Sequence, residues 1–347
     1  MKMKKLLALG TSCTILLATL FFVTESAAKE TKTITLRFST NTPMGKPGDM
    51  LYVPKTILDD IEKRTKGRVK FQSYWMSSLA NQREIVDILK AGTVDIAMIP
   101  PVNNQAKLPL TSIADSIPFE PKTIRKAVEA FMKLKDHPAI VAEWERWNMK
   151  IIGAWGTPPK EIASTKPLRN LSDIKGVKGR FASETNAKLW SAVGGIPINI
   201  PYSEVYQALD KGIIDATVAN PTALLLFKLK EVSKYYQNIP FGAVANAFAI
   251  NQDSLNKLPQ DIRQIVMETF SELGPRVIQI SEDLDRSQRK QLAEGGTQFV
   301  EFSAQGMEKW QNMPEAKEII GEWIKDKESK GLPGKEILDT YLKLLAE

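Results

Sequence analysis

The chain has 347 residues, 43% hydrophobic and 25% charged, with 47 Lys and Arg against 40 Asp and Glu, a net charge of +7. That length holds two lobes or one large domain with a real core, and the near-average composition argues against disorder, collagen or a disulfide scaffold. One cysteine, Cys13, and one histidine, His137, leave no Cys–His pair, no histidine cluster for zinc, and no Ser-His-Asp set unless His137 serves it.

Lys2, Lys4 and Lys5 precede an apolar run over residues 6–23, and Ser26-Ala27-Ala28 has the small-x-small pattern of a signal peptidase site. We expect an export signal cleaved after Ala28. The run approaches the ~18–20 residues that span a bilayer, but Thr11, Ser12 and Thr14 dilute it. Gly10 stands where a lipoprotein signal carries Leu, so lipidation of Cys13 is not expected. Without residues 1–28, which hold three lysines and one glutamate, 44 basic and 39 acidic residues remain, a net charge of +5 and no cysteine. The expected product is periplasmic and is not embedded in the membrane.

Ile34, Leu36 and Phe38 alternate with Thr35, Arg37 and Ser39, which predicts a strand buried on one face. A turn-rich stretch, residues 41–48, holds Pro43, Gly45 and Pro47. Residues 51–65 carry Ile57, Leu58 and Ile61 at helical spacing, and Val69, Phe71, Ser73 and Trp75 alternate as a second strand. Residues 81–91 read as a helix, and 94–99 as a short apolar run of the kind covered on both faces of a parallel sheet. This β-α-β-α-β order predicts a parallel α/β lobe.

The pattern then restarts. Strands are predicted at 150–155, 179–182, 196–200 and 213–218, with helices at 184–193 and 203–211. Two segments echo each other: DILKAGTVDIAMIPP at 87–101 and QALDKGIIDATVANP at 207–221 share Leu89/Leu209, Gly92/Gly212, Asp95/Asp215 and Pro101/Pro221. Each reads as a helix ended by glycine, a tight turn, and a buried strand stopped by proline. Residues 259–294 read as one long charged helix bent near Gly274-Pro275, and 297–302 as a short strand. The stretch with Trp310, Trp323 and Leu338 reads as helices packed on the lobes.

No phosphate loop, dinucleotide fingerprint or nucleophile elbow occurs in the sequence. Ser172/Lys175, Ser254/Lys257 and Ser287/Lys290 match Ser-x-x-Lys, a spacing common by chance, and Ser172 and Ser254 read as caps or turn residues. His137 before Pro138 reads as a solvated loop residue, and Asp59-Asp60 as a helix face. We therefore expect no catalysis, no cofactor and no metal. Charges of both signs interleave, as in 282–290, so nucleic acid is not an expected partner; a modest positive field suits an anionic ligand. What remains is a site outside the carboxyl ends of strands. Candidates there are Asn41, residues 100–103, residues 155–157, Arg180 and residues 219–222.

The segments ITLRFSTN and RTKGRVKFQSYWMSSLANQREIVDILKAGTVDIAMI, then SDIKGVKGRFAS and GGIPINIPYSEVYQALDKGIIDATVANP, resemble the DctP-type solute receptors of TRAP transporters. AFAINQDSLNKLP and KGLPGKEILDTYLKLL extend the resemblance over nearly the whole mature chain. It implies an α/β, two-lobed flytrap of the periplasmic-binding-protein kind, each lobe a mostly parallel sheet flanked by helices, with a long helix spanning both. Lobe 1 is expected over residues 29–153 with about 243–285. Lobe 2 is expected over 154–242, with about 286–347 and its C-terminal helices. The implied function is capture of an organic acid, a small carboxylate, for delivery to a cation-coupled TRAP membrane permease. Readings that the residues leave open are the binding protein of an ABC importer or a sensor system, and a periplasmic enzyme on the same scaffold.

The resemblance also maps the family's principal ligand arginine onto Arg180, and a planar guanidinium at a strand end offers two parallel donors to a carboxylate. Where many members carry a second arginine this chain has Pro159 with Lys160 beside it, and where the family asparagine stands it has Ala219, with Asn220 one later. Fewer polar ligands, with Trp155, Phe181, Tyr202 and Phe248 near the expected cleft edges, point to a monocarboxylate with an apolar or aromatic body. Tyr202 lies where the family places a ring against the ligand.

Overall fold

The computed structural model describes residues 33–347, so the expected export signal and its cleavage after Ala28 lie outside the described residues. The alternating and apolar runs become strands. In chain order these are β1 (Ile34–Ser39), β2 (Val69–Tyr74), β3 (Ile96–Ile99), β4 (Met149–Thr157), β5 (Glu161–Ser164), β6 (Lys178–Arg180), β7 (Ile196–Ile198), β8 (Ala216–Ala219), β9 (Tyr235–Gln237), β10 (Val244–Asn251) and β11 (Gln298–Val300). They form a five-stranded sheet, β2-β1-β3-β10-β4, and a six-stranded sheet, β11-β9-β5-β8-β6-β7, each flanked by helices.

The echoed segments build the same joint twice. Arg37 N donates to Asp95 Oδ2 at 2.7 Å, Asp95 N donates back to Arg37 O at 2.9 Å, and Arg37 Nη2 reaches Gly92 O at 2.7 Å. In the second sheet Lys178 N donates to Asp215 Oδ2 at 2.9 Å, Asp215 N to Lys178 O at 2.7 Å, and Lys178 Nζ to Gly212 O at 2.9 Å. Gly92 and Gly212 take φ of +67° and +66°, the left-handed turn that ends each helix. The shared aspartates therefore pin a parallel strand to its neighbour and are structural.

Both sheets are mixed. β1–β2, β1–β3, β6–β7 and β6–β8 run parallel as expected and β9–β11 is parallel too, whereas β10 and β5 pair antiparallel with both of their neighbours. β5, β9 and β10, which the sequence reading does not anticipate as strands, make the connection between the sheets. The β4–β10 ladder runs to Thr157↔Val244; Lys160 N then bonds Gly242 O at 3.0 Å and Phe241 N bonds Lys160 O at 2.9 Å, and β5 meets β9 at Ile162↔Gln237. An antiparallel ribbon thus passes from one sheet into the other. Gly242 sits in it at φ +73°, where a Cβ would collide with the Glu120 carbonyl oxygen.

The expected long helix forms as Gln260–Ser271 and Leu273–Glu294, joined at Glu272. Pro275 lacks the amide that would bond the Ser271 carbonyl, which accounts for the break a few residues before the expected bend. Val277 and Ile278 enter the core of the first sheet, Leu292 that of the second, and Arg289 Nη2 reaches Glu161 Oε2 on β5 at 3.0 Å. The last helix, Gly334–Ala346, departs from its expected grouping with lobe 2: Ile337, Leu338 and Tyr341 are buried in the core of the first sheet. Its apolar face finds the helix Ile124–Leu134 there.

Burial would push the Asp95 carboxyl up, but hydrogen bonds from Arg37 and Ser254 outweigh it and hold the group below the usual carboxylate value. A depressed folded value contributes stability above the unfolded value of about 3.9, lost as pH falls through the folded one. Asp95→Asn is therefore expected to cost about 1–3 kcal/mol at pH 7. Urea unfolding should show that deficit narrowing below pH 4.

Candidate ligand-binding site

β3 and β4 run in the same direction, both antiparallel to β10, so the carboxyl ends of β1, β3 and β4 share one edge with the start of β10. In the second sheet the ends of β6, β7 and β8 share an edge with the start of β5, where Glu161 pairs with Ala219. Only residues 158–160 separate β4 from β5, a span of about 10 Å. The two carboxyl edges therefore face each other beside the ribbon. They touch at one flank, where Ser183 Oγ donates to Asp115 O at 3.4 Å and Thr185 Oγ1 to Ser116 O at 3.1 Å.

Arg180 closes β6 at this edge. Its Nε donates to Ile200 O at 3.1 Å, its guanidinium carbon stands 5.0 Å from the centre of the Tyr202 ring, and it has no carboxylate partner among the described residues. Burial pushes the guanidinium below the usual arginine value, the Tyr202 ring opposing this slightly. A partly buried cation without a counter-ion carries an uncompensated desolvation cost. Tyr202 itself is braced edge-on by Phe227 at 4.9 Å, and burial raises its hydroxyl to about 12.

The first-sheet edge carries Asn41, Asn246 and Ser39, and with them Trp155, whose side chain is almost wholly buried in the core of that sheet. Asn246 stands opposite Trp155 in the β4–β10 ladder, and Ser39 Oγ, Asn41 Oδ1 and Asn246 Oδ1 are buried with no hydrogen-bond partner among the described residues. Asn220 caps the helix Pro221–Leu226: its Oδ1 accepts from Ala223 N at 2.9 Å, which leaves its amide nitrogen as the outward donor. Ala219 is buried, and its carbonyl accepts from the Tyr236 hydroxyl at 3.3 Å.

Two expected contacts fall elsewhere. Phe181 is packed between Trp190 and Phe241, and Phe248 is fully buried between Phe38 and Phe270. Both rings are core: Phe181, one residue past β6, lies in the core of the second sheet and Phe248 of β10 in that of the first. Asn103 and Asn104 are tied to Gln82, and Lys160 is paired with Asp115 at 2.8 Å. His137, expected in a solvated loop, caps the helix Pro138–Glu145 through Nδ1 and meets Glu336. Among the described residues no cluster of three or more His, Cys, Asp or Glu side chains is placed to hold a metal, and no helix is long and apolar enough to cross a membrane.

Residues 40–324 match the DctP family of bacterial extracellular solute-binding proteins, family 7. The chain belongs to the DctP family. It is a TRAP-type solute-binding protein and not an enzyme. A solute-binding protein of Albidiferax ferrireducens is 25% identical over 81% of this chain and 85% of its own. The C4-dicarboxylate-binding periplasmic protein DctP of Rhodobacter capsulatus is 26% identical over 73% of this chain and 76% of its own. Among solved structures, a TRAP solute-binding protein from a marine metagenome, from an unidentified microbe and described as specific for aromatic acid ligands, superposes with a TM-score of 0.81. It is 20% identical, covering 90% of this chain and 98% of that one.

Within this DctP-family fold, Ser39, Asn246 and Phe227 join the site edges without having been expected. Asn246 had a legible signal, a lone asparagine in the apolar run AVANAFAI; Phe227 had none. Phe248→Ala is expected to cost about 3–5 kcal/mol in denaturant unfolding.

Proposed function

We propose that this protein captures a small organic acid in the periplasm and hands it to a cation-coupled TRAP permease. The observation that carries the reading is Arg180, a partly buried guanidinium between two facing edges, with two terminal nitrogens uncommitted to any carboxylate among the described residues. Such a group suits bidentate pairing with a carboxylate. Lys160 is neutralised by Asp115, so a single cation serves the ligand, which favours a monocarboxylate whose body lies against Tyr202 and Trp155. The relatives named for C4-dicarboxylate and aromatic-acid binding are in keeping with that class of ligand.

In this reading lobe 1 is built on the first sheet, lobe 2 on the second, and the antiparallel ribbon is the hinge. The acid enters the open cleft, Arg180 takes its carboxylate with Asn220 and Asn41 alongside, and closure excludes water and so strengthens the pair. Export uses residues 1–28.

Truncation of a charge-assisted contact in a closed cleft costs about 2–5 kcal/mol. Arg180→Ala is thus expected to weaken binding at least about 30-fold in calorimetry while leaving circular dichroism unchanged. Equal affinities would remove Arg180 from the site. A wild-type ligand at 100 times its dissociation constant should add about 2.7 kcal/mol of stability, a readout suited to screening aliphatic, keto, sugar and aromatic acids. For processing, the intact mass of protein recovered from a periplasmic fraction should correspond to a chain beginning at Lys29.

A further inference from the structure

We propose that Arg289, on the long helix, and Glu161, at the start of β5, are positioning residues that fix the separation of the two carboxyl edges before any ligand enters. The inference rests on the reading of the two sheets as lobes hinged at the antiparallel ribbon.

The helix Leu273–Glu294 is held at both ends. In its first half Arg276 Nη1 donates to Asp60 Oδ2 at 2.6 Å, and Glu282 Oε2 accepts from Arg125 Nη2 at 2.8 Å. Gly274 lies so close to Val128 that a Cβ would collide with it. Asp60, Arg125 and Val128 stand on helices whose apolar faces enter the core of the first sheet. In the second half Arg289 Nη2 donates to Glu161 Oε2 at 3.0 Å, and Gln288 Oε1 accepts from the Thr222 hydroxyl at 2.9 Å. Leu292 enters the core of the second sheet.

The Arg289 contacts converge on the rim of the site. Glu161 follows the segment 158–160 that joins the sheets, and it faces Ala219 in the β5–β8 ladder. The Arg289 guanidinium also lies over the Tyr236 ring, 5.6 Å from its centre, and the Tyr236 hydroxyl donates to Ala219 O at 3.3 Å. Asn220 is the next residue. One arginine of the helix thus holds the strand end that carries Asn220 by two routes.

The pair is a poor source of stability. Burial holds the Glu161 carboxyl above its usual value although Arg289 opposes this, and an apolar pair of similar volume often stabilises as well as a buried ion pair. What a guanidinium on a carboxylate supplies is direction, since its planar fork accepts few geometries. Through it the helix transmits the position of the first sheet to residues 219 and 220. Without it that end of the helix keeps the Thr222 hydrogen bond and apolar packing, which tolerate sliding. The share of molecules with their edges at binding distance then falls, and apparent affinity falls by the same fraction.

The test needs no ligand. Residues 29–347 hold no cysteine, so Lys63→Cys and Gln207→Cys, exposed positions on helices of the first and second sheets, accept two spin labels. Double electron–electron resonance should give one narrow distance distribution for the otherwise wild-type chain. Arg289→Ala and Glu161→Ala should each broaden it, and the double variant no more than either alone, as expected of partners in one interaction. Glu161→Gln, which keeps an acceptor for Arg289, should return the wild-type width. A distribution unchanged by either alanine variant would overturn the assignment. So would broadening that adds in the double variant, or a Glu161→Gln distribution as broad as that of Glu161→Ala. If Arg289→Ala does not fold, Glu161→Ala against Glu161→Gln decides the matter. Failure of every acid to bind would remove the carboxylate reading instead, and would leave these distances as they are.

Discussion

An antiparallel ribbon, β4 with β10 continuing into β5 with β9, is the constraint on which the site depends. Its ladder is nearly continuous through residues 157–162 on one side and 237–244 on the other. Backbone hydrogen bonds that cross from sheet to sheet set the separation of the two carboxyl edges, and so the space a ligand can occupy. They also explain why the sheets are mixed. A strand entering from the opposite lobe must run antiparallel to the βαβ strands already there, and β10 and β5 do so. The break in the long helix at Glu272 and the anchor of Arg289 on Glu161 tie a second element to both sheets.

Within that frame electrostatics selects one residue. Among the half-buried arginines of the described residues, Arg37 has Asp95, Arg276 has Asp60 and Glu272, and Arg289 has Glu161 and Asp285, while Arg263 bonds the backbone carbonyls of Asn256 and Leu258. Arg180 has only the face of Tyr202 and a backbone carbonyl. Burying a cation in this way is costly. In the function we propose, an entering carboxylate relieves that cost, and affinity and closure draw on the same interaction.

Much of the fold was legible from local pattern. Period-two alternation marked β1 and β2, short apolar runs marked β3 and β8, and the paired Gly-x-x-Asp turns marked units that share the reciprocal backbone joint at Asp95 and Asp215. β5, β9 and β10 were not legible, because strands of three and four residues carry little periodicity and β10 is apolar on both faces. At the site edges, Arg180 and Asn41 were expected from their places at strand ends and Tyr202 from the family resemblance. Phe181 and Phe248 looked equally suitable, since an aromatic residue reads the same in a core as in a cleft; Trp190, Phe241, Phe38 and Phe270 claimed them.

By itself the sequence determined the local units and a polar, cationic strand end at Arg180. These depend on residues a few positions apart, whose periodicity and turn chemistry act over one or two turns of chain. Only the tertiary structure decided which cation is free. Lys160 and Arg180 look alike in sequence as ligand groups, yet Asp115, 45 residues before Lys160, neutralises the lysine, and no carboxylate among the described residues reaches the arginine. Counter-ions are assigned by chain crossings, and those crossings are fixed by the pairing of strands distant in sequence, which local pattern does not encode.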